Sequence, residues 1–167
     1  MRSAGGDWQT ARHMRRLARL GGEEGTALVE FALILPILAL LLFAMLDFGK
    51  AFNYWIDETH LANEGARWAV VNRNPGGGSL QQYIRQQATT AELRNGGTAS
   101  IPNPAQVCIS FPNGTSNVGD PVLVTVSATY HWLPILGGRI GIAQTTISGS
   151  SDMRLEALPT NYAAGCS

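Results

Sequence analysis

Apolar and polar positions divide the chain into three regimes. From Phe31 to Leu46 no residue is charged, and the nearly unbroken apolar stretch from Thr26 to Phe48 makes a helix of roughly 34 Å at 1.5 Å per residue. That length crosses a bilayer core. A soluble core helix shows polar residues on every turn of its outer face, and this stretch shows none for about four turns. Past Phe48 the period becomes helical: Phe52, Trp55, Ile56, Ala62, Ala66, Ala69 and Val70 share one stripe, and Asn53, Asp57, His60, Glu64 and Arg67 share the opposite face. One helix is therefore expected to continue from lipid into water over 49–72 and to end at the Pro-Gly-rich Asn72–Gly78. Tyr54 and Trp55 fall where an aromatic belt meets the outer headgroups.

A second helix is expected over 79–94, capped by Ser79 and ended by Asn95-Gly96-Gly97. The period then drops to two. Strands are expected at about 107–111, 121–132 and 145–155, the middle one carrying the alternation Val122, Val124, Val126, Ala128, Tyr130. Asn113–Asp120 and His131–Gly141 read as the connections between them. The expected architecture is α+β, a long helix whose stripe is covered by a small antiparallel sheet of about three strands.

Charge sets the orientation. The 167 residues have zero net charge, but up to Gly25 five arginines (Arg2, Arg12, Arg15, Arg16, Arg19) face three acids, and beyond it seven basic residues face nine acidic ones. A basic flank before the first apolar helix keeps the amino terminus in the cytoplasm. The arginines read as this topology signal, not as a nucleic-acid footprint. A conventional secretory signal would need a shorter apolar run and a small-residue cleavage site near Leu46–Ala51, and neither is present.

One residue breaks the apolar stretch. Glu30 lies near its start, and a carboxylate in the membrane costs about 2.5–3.5 kcal/mol at mid-bilayer, less near an interface, so it calls for a partner or a job. Cleavage after Gly25 would put a new amine at Thr26, one helical turn before Glu30.

At these residues the chain resembles a known family. Gly25 followed five residues later by Glu30 and a long apolar helix looks like the processing site of type IV prepilins. The string ALVEFALILPILALLLFAMLDFGKAFNYW resembles the TadE-like pseudopilins of the tight-adherence system, in which an aromatic after the glutamate (Phe31), the helix proline (Pro36) and the acidic end of the span (Asp47-Phe48-Gly49) recur together. Tyrosine is the commoner aromatic in the related major pilins. The resemblance implies a cytoplasmic basic leader over 1–25, a transmembrane helix over 26–48 and an extracytoplasmic pilin-like domain over 49–167. It further implies cutting between Gly25 and Thr26 by a prepilin peptidase, and assembly with other pilins through Glu30 and Phe31. The location implied is a bacterial inner membrane, crossed once, with entry into a pilus left open. The alternative left standing is a permanently anchored extracytoplasmic binding domain.

The remaining chemistry is sparse. Cys108 and Cys166 share the far side of the membrane, so a disulfide is allowed; closing a loop of roughly 60 residues would contribute about 4 kcal/mol in the chain-entropy model. Asp57, His60 and Glu64 are spaced as ligands on one face, but Glu64 and Arg67 beside them read better as ordinary ion pairs on a wet surface. No nucleophile–base pattern or phosphate loop stands out, so neither an enzyme, a cofactor, a metal nor a small-molecule substrate is expected.

Overall fold

The computed structural model describes residues 7–133 and 143–167, with side chains from Gly25 onward. The described elements run α1 (Asp7–Val70), α2 (Leu80–Gln86), α3 (Ala91–Asn95), β1 (Gln106–Ser110), β2 (Pro121–His131), β3 (Gln144–Arg154) and β4 (Gly165–Cys166). By packing the chain forms two units, residues 1–44 and 45–167. The first is helical and, over its described side chains, unburied apart from partial cover at Ala39 and Ala44. It holds most of the stretch that makes α1 the one described helix long and apolar enough to cross a membrane.

The second unit is α+β. The sheet is antiparallel in the order β3-β2-β1-β4. Its two long strands pair from Pro121↔Arg154 to His131↔Gln144. Along β2 every even residue from Val122 to Tyr130 is buried, and every odd one stays partly wet, so the period-two pattern delivers one apolar face to the core. Val107 and Ile109 of β1 continue that face. Against it packs the α1 segment carrying Ala51, Tyr54, Leu61, Ala62, Ala66 and Ala69, joined by Leu80 and Ile84 of α2. The small residues on this face let backbones approach closely. A Cβ on Gly65 would stand 2.7 Å from the Ile84 Cδ1 and 3.2 Å from a Val124 methyl, and one on Gly149 of β3 would collide with the α1 backbone at Glu58 and Thr59.

The far end of α1 is closed by side chains from the chain's last stretch. Asn72 takes the left-handed conformation (φ 53°) that ends many helices, and the Arg73 amide reaches back to the Trp68 carbonyl at 2.9 Å. The Asn72 amide side chain donates to Thr160 and accepts from the Asn161 backbone, both at 2.8 Å. The Glu156 and Ala157 amides and the Tyr162 hydroxyl take the Val70 and Ala69 carbonyls. These are the carbonyls a helix end leaves open.

Several expectations need correction. The helix expected over 79–94 is two short ones, because the Asp57 carboxylate accepts from the Thr89 amide (3.2 Å), the Thr90 amide (3.0 Å) and the Thr90 hydroxyl (3.0 Å) and so holds the chain out of helix there. Ser79 caps the first, its hydroxyl accepting from the Gln82 amide at 3.2 Å. The sheet has four strands, not three; the added edge is the two-residue β4. The stripe facing the sheet keeps the expected Ala62, Ala66, Ala69 and Val70 but is rotated over its first turns: Tyr54 is 2% exposed, whereas Phe52 and Trp55 are 51% and 44% exposed. Part of the second expected connection, 134–142, lies outside the described residues, as do 1–6.

Candidate functional site

Gly25, Thr26, Glu30 and Phe31 all lie within α1, and all are exposed. The helix runs through the Gly25–Thr26 bond. Thr26 and Glu30 are four residues apart, which on a helix places them one above the other on one face. A Cβ on Gly25 would meet nothing within 4 Å, so nothing in the fold demands glycine there. Its missing side chain instead leaves the backbone open to approach from outside. Phe31 is 58% exposed beside Glu30. The structure thus presents this cluster as an outward-facing set at the head of the apolar helix, with Leu28, Val29, Leu33, Ile34, Ile37, Leu38 and Leu41 exposed after it.

The second unit carries a separate constellation at Asp47. Asp47 is buried, and its carboxylate accepts from the Tyr130 hydroxyl and, at 2.9 Å, from the Leu133 amide. The end of the span and the end of β2 are thereby fastened together. Tyr54 and Tyr130 lie 5.8 Å apart by ring centroids, Trp132 meets Tyr130 edge-on at 5.0 Å and Phe48 stacks on Trp132 at 6.3 Å. Burial first, then the Asp47 carboxylate, push the Tyr130 phenol well above its ordinary value, so it remains a donor across the usual pH range.

Glu58 is fully buried between α1 and the sheet, and neither carboxyl oxygen makes a hydrogen bond. Burial raises its pKa from 4.5 to about 9; the Ala128 backbone amide, near the carboxyl but outside hydrogen-bond geometry, opposes the rise, and the neighbouring Asp57 adds to it. At neutral pH the group therefore carries its proton. Reasoning from sequence missed this residue, because an acid on a helix ordinarily reads as solvent-facing. Its one signal is position, on the same face as Tyr54, Leu61 and Gly65.

Of Asp57, His60 and Glu64, Asp57 is turned to a structural task. Asp57 is consumed by Thr89 and Thr90, and no His/Cys/Asp/Glu group able to hold a metal is found among the described residues. Beside Asp57 a groove of about 260 Å³ is lined by Asn53, Ile56, His60, Thr89 and Thr90. Cys108 and Cys166 are joined in a disulfide across paired positions of β1 and β4.

No curated protein and no solved structure matches the chain. The family model of TadE-like protein does match, over residues 25–67, which take in Gly25, Glu30, Pro36, Asp47 and Glu58. Over that stretch, from the glycine that opens the apolar helix to the face of α1 that receives the sheet, the chain is similar to the TadE-like family.

Proposed function

We propose that the chain is a minor pseudopilin, a structural and assembly component of a tight-adherence (Flp-type) pilus or secretion apparatus, matured by a prepilin peptidase. The observation that carries this reading is the exposed set Gly25, Thr26, Glu30 and Phe31 on one stretch of α1, at the head of the apolar run and inside the TadE-like match. Cleavage after Gly25 on the cytoplasmic face frees an amine at Thr26. The Glu30 carboxylate then pairs with the amine of an adjacent subunit, which offsets its cost in the membrane. Phe31 packs beside that pair, and the apolar helices pack with those of other pilins. The domain over 49–167 lies on the far side of the bacterial inner membrane from the leader. Its role is one of assembly, not catalysis.

The test is the amino-terminal sequence and intact mass of the protein extracted from its host's membranes. A mature chain starting at Thr26 is expected, and Glu30→Gln should leave insertion and cleavage intact while abolishing assembly. An uncut chain in cells with an active prepilin peptidase would overturn the reading in favour of a permanently anchored binding domain. A start near Ala51 would overturn it in favour of a secretory signal.

A further inference from the structure

Three large side chains that a helical stripe should have delivered to the core are left outside it. Phe52, Trp55 and Ile56 are 51%, 44% and 51% exposed, and Phe52 and Trp55 touch, with ring centroids 5.4 Å apart. Below them on α1, Met45, Leu46 and Phe48 are also exposed. Met45, Phe48, Phe52, Trp55 and Ile56 share one face of α1 within about 100° and form an apolar strip that prolongs the uncharged run. Its upper end is abrupt. On the flank above Ile56 the exposed or half-exposed positions are Thr59, Asn63 and Arg67, while Ala62 and Ala66 are buried. The two polar side chains nearest the edge turn back on the helix, Thr59 donating to the Trp55 carbonyl and Asn63 to the Thr59 carbonyl.

That edge decides what the strip faces. A partner helix lying along α1 would need an apolar seam that continues from turn to turn. A bilayer instead ends at a depth. From Phe48 to Ile56 the helix rises about 12 Å, while the headgroup zone outside the hydrocarbon core is roughly 5–7 Å thick. Helical side chains lean toward the amino terminus, over the preceding turn, so the long rings of Phe52 and Trp55 lean back into that zone and Ile56 stands at its outer edge. Tryptophan favours that depth, where its ring meets both acyl chains and headgroups. The base of the sheet contributes at the same level: Trp132 stacks on Phe48, and Leu133, held by Asp47, is 39% exposed.

We infer that the strip Phe48, Phe52, Trp55 and Ile56 is a lipid-docking surface, running from the end of the hydrocarbon core to the outer edge of the headgroup zone of the membrane that α1 crosses. It rests on the reading of α1 as a span. Its effect is to hold the folded unit against the bilayer, so that assembly must lift these aromatics out of lipid as well as extract the apolar helix.

Spin labels test this in the full chain, with its cysteines paired, reconstituted into phosphatidylcholine–phosphatidylglycerol vesicles. Labels are placed singly by Leu38→Cys, Phe52→Cys, Ile56→Cys and Asn63→Cys, all at exposed positions that leave the core intact. Collisions with oxygen, which partitions into lipid, are compared with collisions with a water-soluble nickel chelate. Labels at 38, 52 and 56 are expected to favour oxygen severalfold over the label at 63. If 38 favours oxygen while 52 and 56 match 63, the span is real and the docking surface is refuted. Shielding of 52 and 56 from both reagents, with spin–spin broadening that vanishes on dilution with unlabelled chain, would assign the strip to a second copy and overturn lipid docking. A nickel-exposed label at 38 would remove the span itself, and this inference with it.

Discussion

Replacing Glu58 by glutamine isolates the most unusual group in the folded unit. The carboxyl titrates near its ordinary 4.5 when unfolded and at about 9 when folded, so between these values the native state holds a proton that the unfolded state has lost. Stability must then fall as pH rises, by about 1.4 kcal/mol per pH unit. It is greatest below the unfolded value, and the loss is complete only above about pH 9. At pH 7 the cost is about 3 kcal/mol, and between pH 5 and pH 8 it grows by about 4 kcal/mol. Glutamine keeps the shape and cannot titrate, but it buries an amide with donors to satisfy, which costs about 1–3 kcal/mol. The two proteins should therefore cross: Glu58→Gln less stable at pH 5, and more stable at pH 8 by about 2–4 kcal/mol. The assay is unfolding of the disulfide-intact chain in detergent, followed by near-ultraviolet circular dichroism, which reads the packed pairs Trp68–Tyr83 and Tyr130–Trp132. Every other ionisable group is common to the two proteins, so the difference between the two curves belongs to position 58. Curves running parallel from pH 5 to pH 8 would refute the reasoning, since they would mean that the buried carboxyl stays ionised or has a partner.

Two further substitutions test how α1 is seated. Gly149→Ala would place a methyl carbon 2.6 Å from the Glu58 carbonyl carbon, where backbone cannot yield cheaply, and should destabilise the folded unit by about 1–3 kcal/mol or more in the same unfolding assay; unchanged stability would mean that the sheet slides freely on the helix. Asp47→Ala leaves the Leu133 amide without its acceptor and the buried Tyr130 hydroxyl with only the backbone carbonyl of residue 47, at 3.2 Å. It should cost about 2–4 kcal/mol and speed hydrogen exchange at the Leu133 amide, and an unaltered exchange rate there would show that Asp47 does not fasten the end of β2.

What could be read from the chain, and what could not, follows from the range of the forces involved. The apolar run to Phe48 and the alternation through β2 are local patterns, visible because one solvent or one face is chosen for many residues in succession. The stop after α1 is local too, since Asn72 and the glycines beyond it act on their own backbone. The break between α2 and α3 was hidden because its cause, Asp57, lies 32 residues upstream of Thr89. β4 was hidden because two residues carry no period; pairing with β1 and the Cys108–Cys166 bond make it a strand. The choice of Tyr54 over Trp55 for the core went unread because neighbouring aromatics offer two stripes, and only the position of Tyr130 and Asp47 selects between them. Within the candidate site, Gly25, Thr26, Glu30 and Phe31 were legible as a spacing, whereas Glu58 has no meaning until the sheet closes over it.

The closure of α1 by residues 156–162, and of β1 by residues 165–166, puts a clock into the domain. The helix is made first, but the carbonyls at its far end, the edge of its sheet and its disulfide all wait for a segment made about 90 residues after its end. Until that segment arrives, β1 has an open edge and the helix an unfinished end, so the unit cannot lock before its last strand is made. A chain lacking residues 156–166 thus lacks at one stroke the helix closure, the sheet edge and the covalent bond that seal the unit.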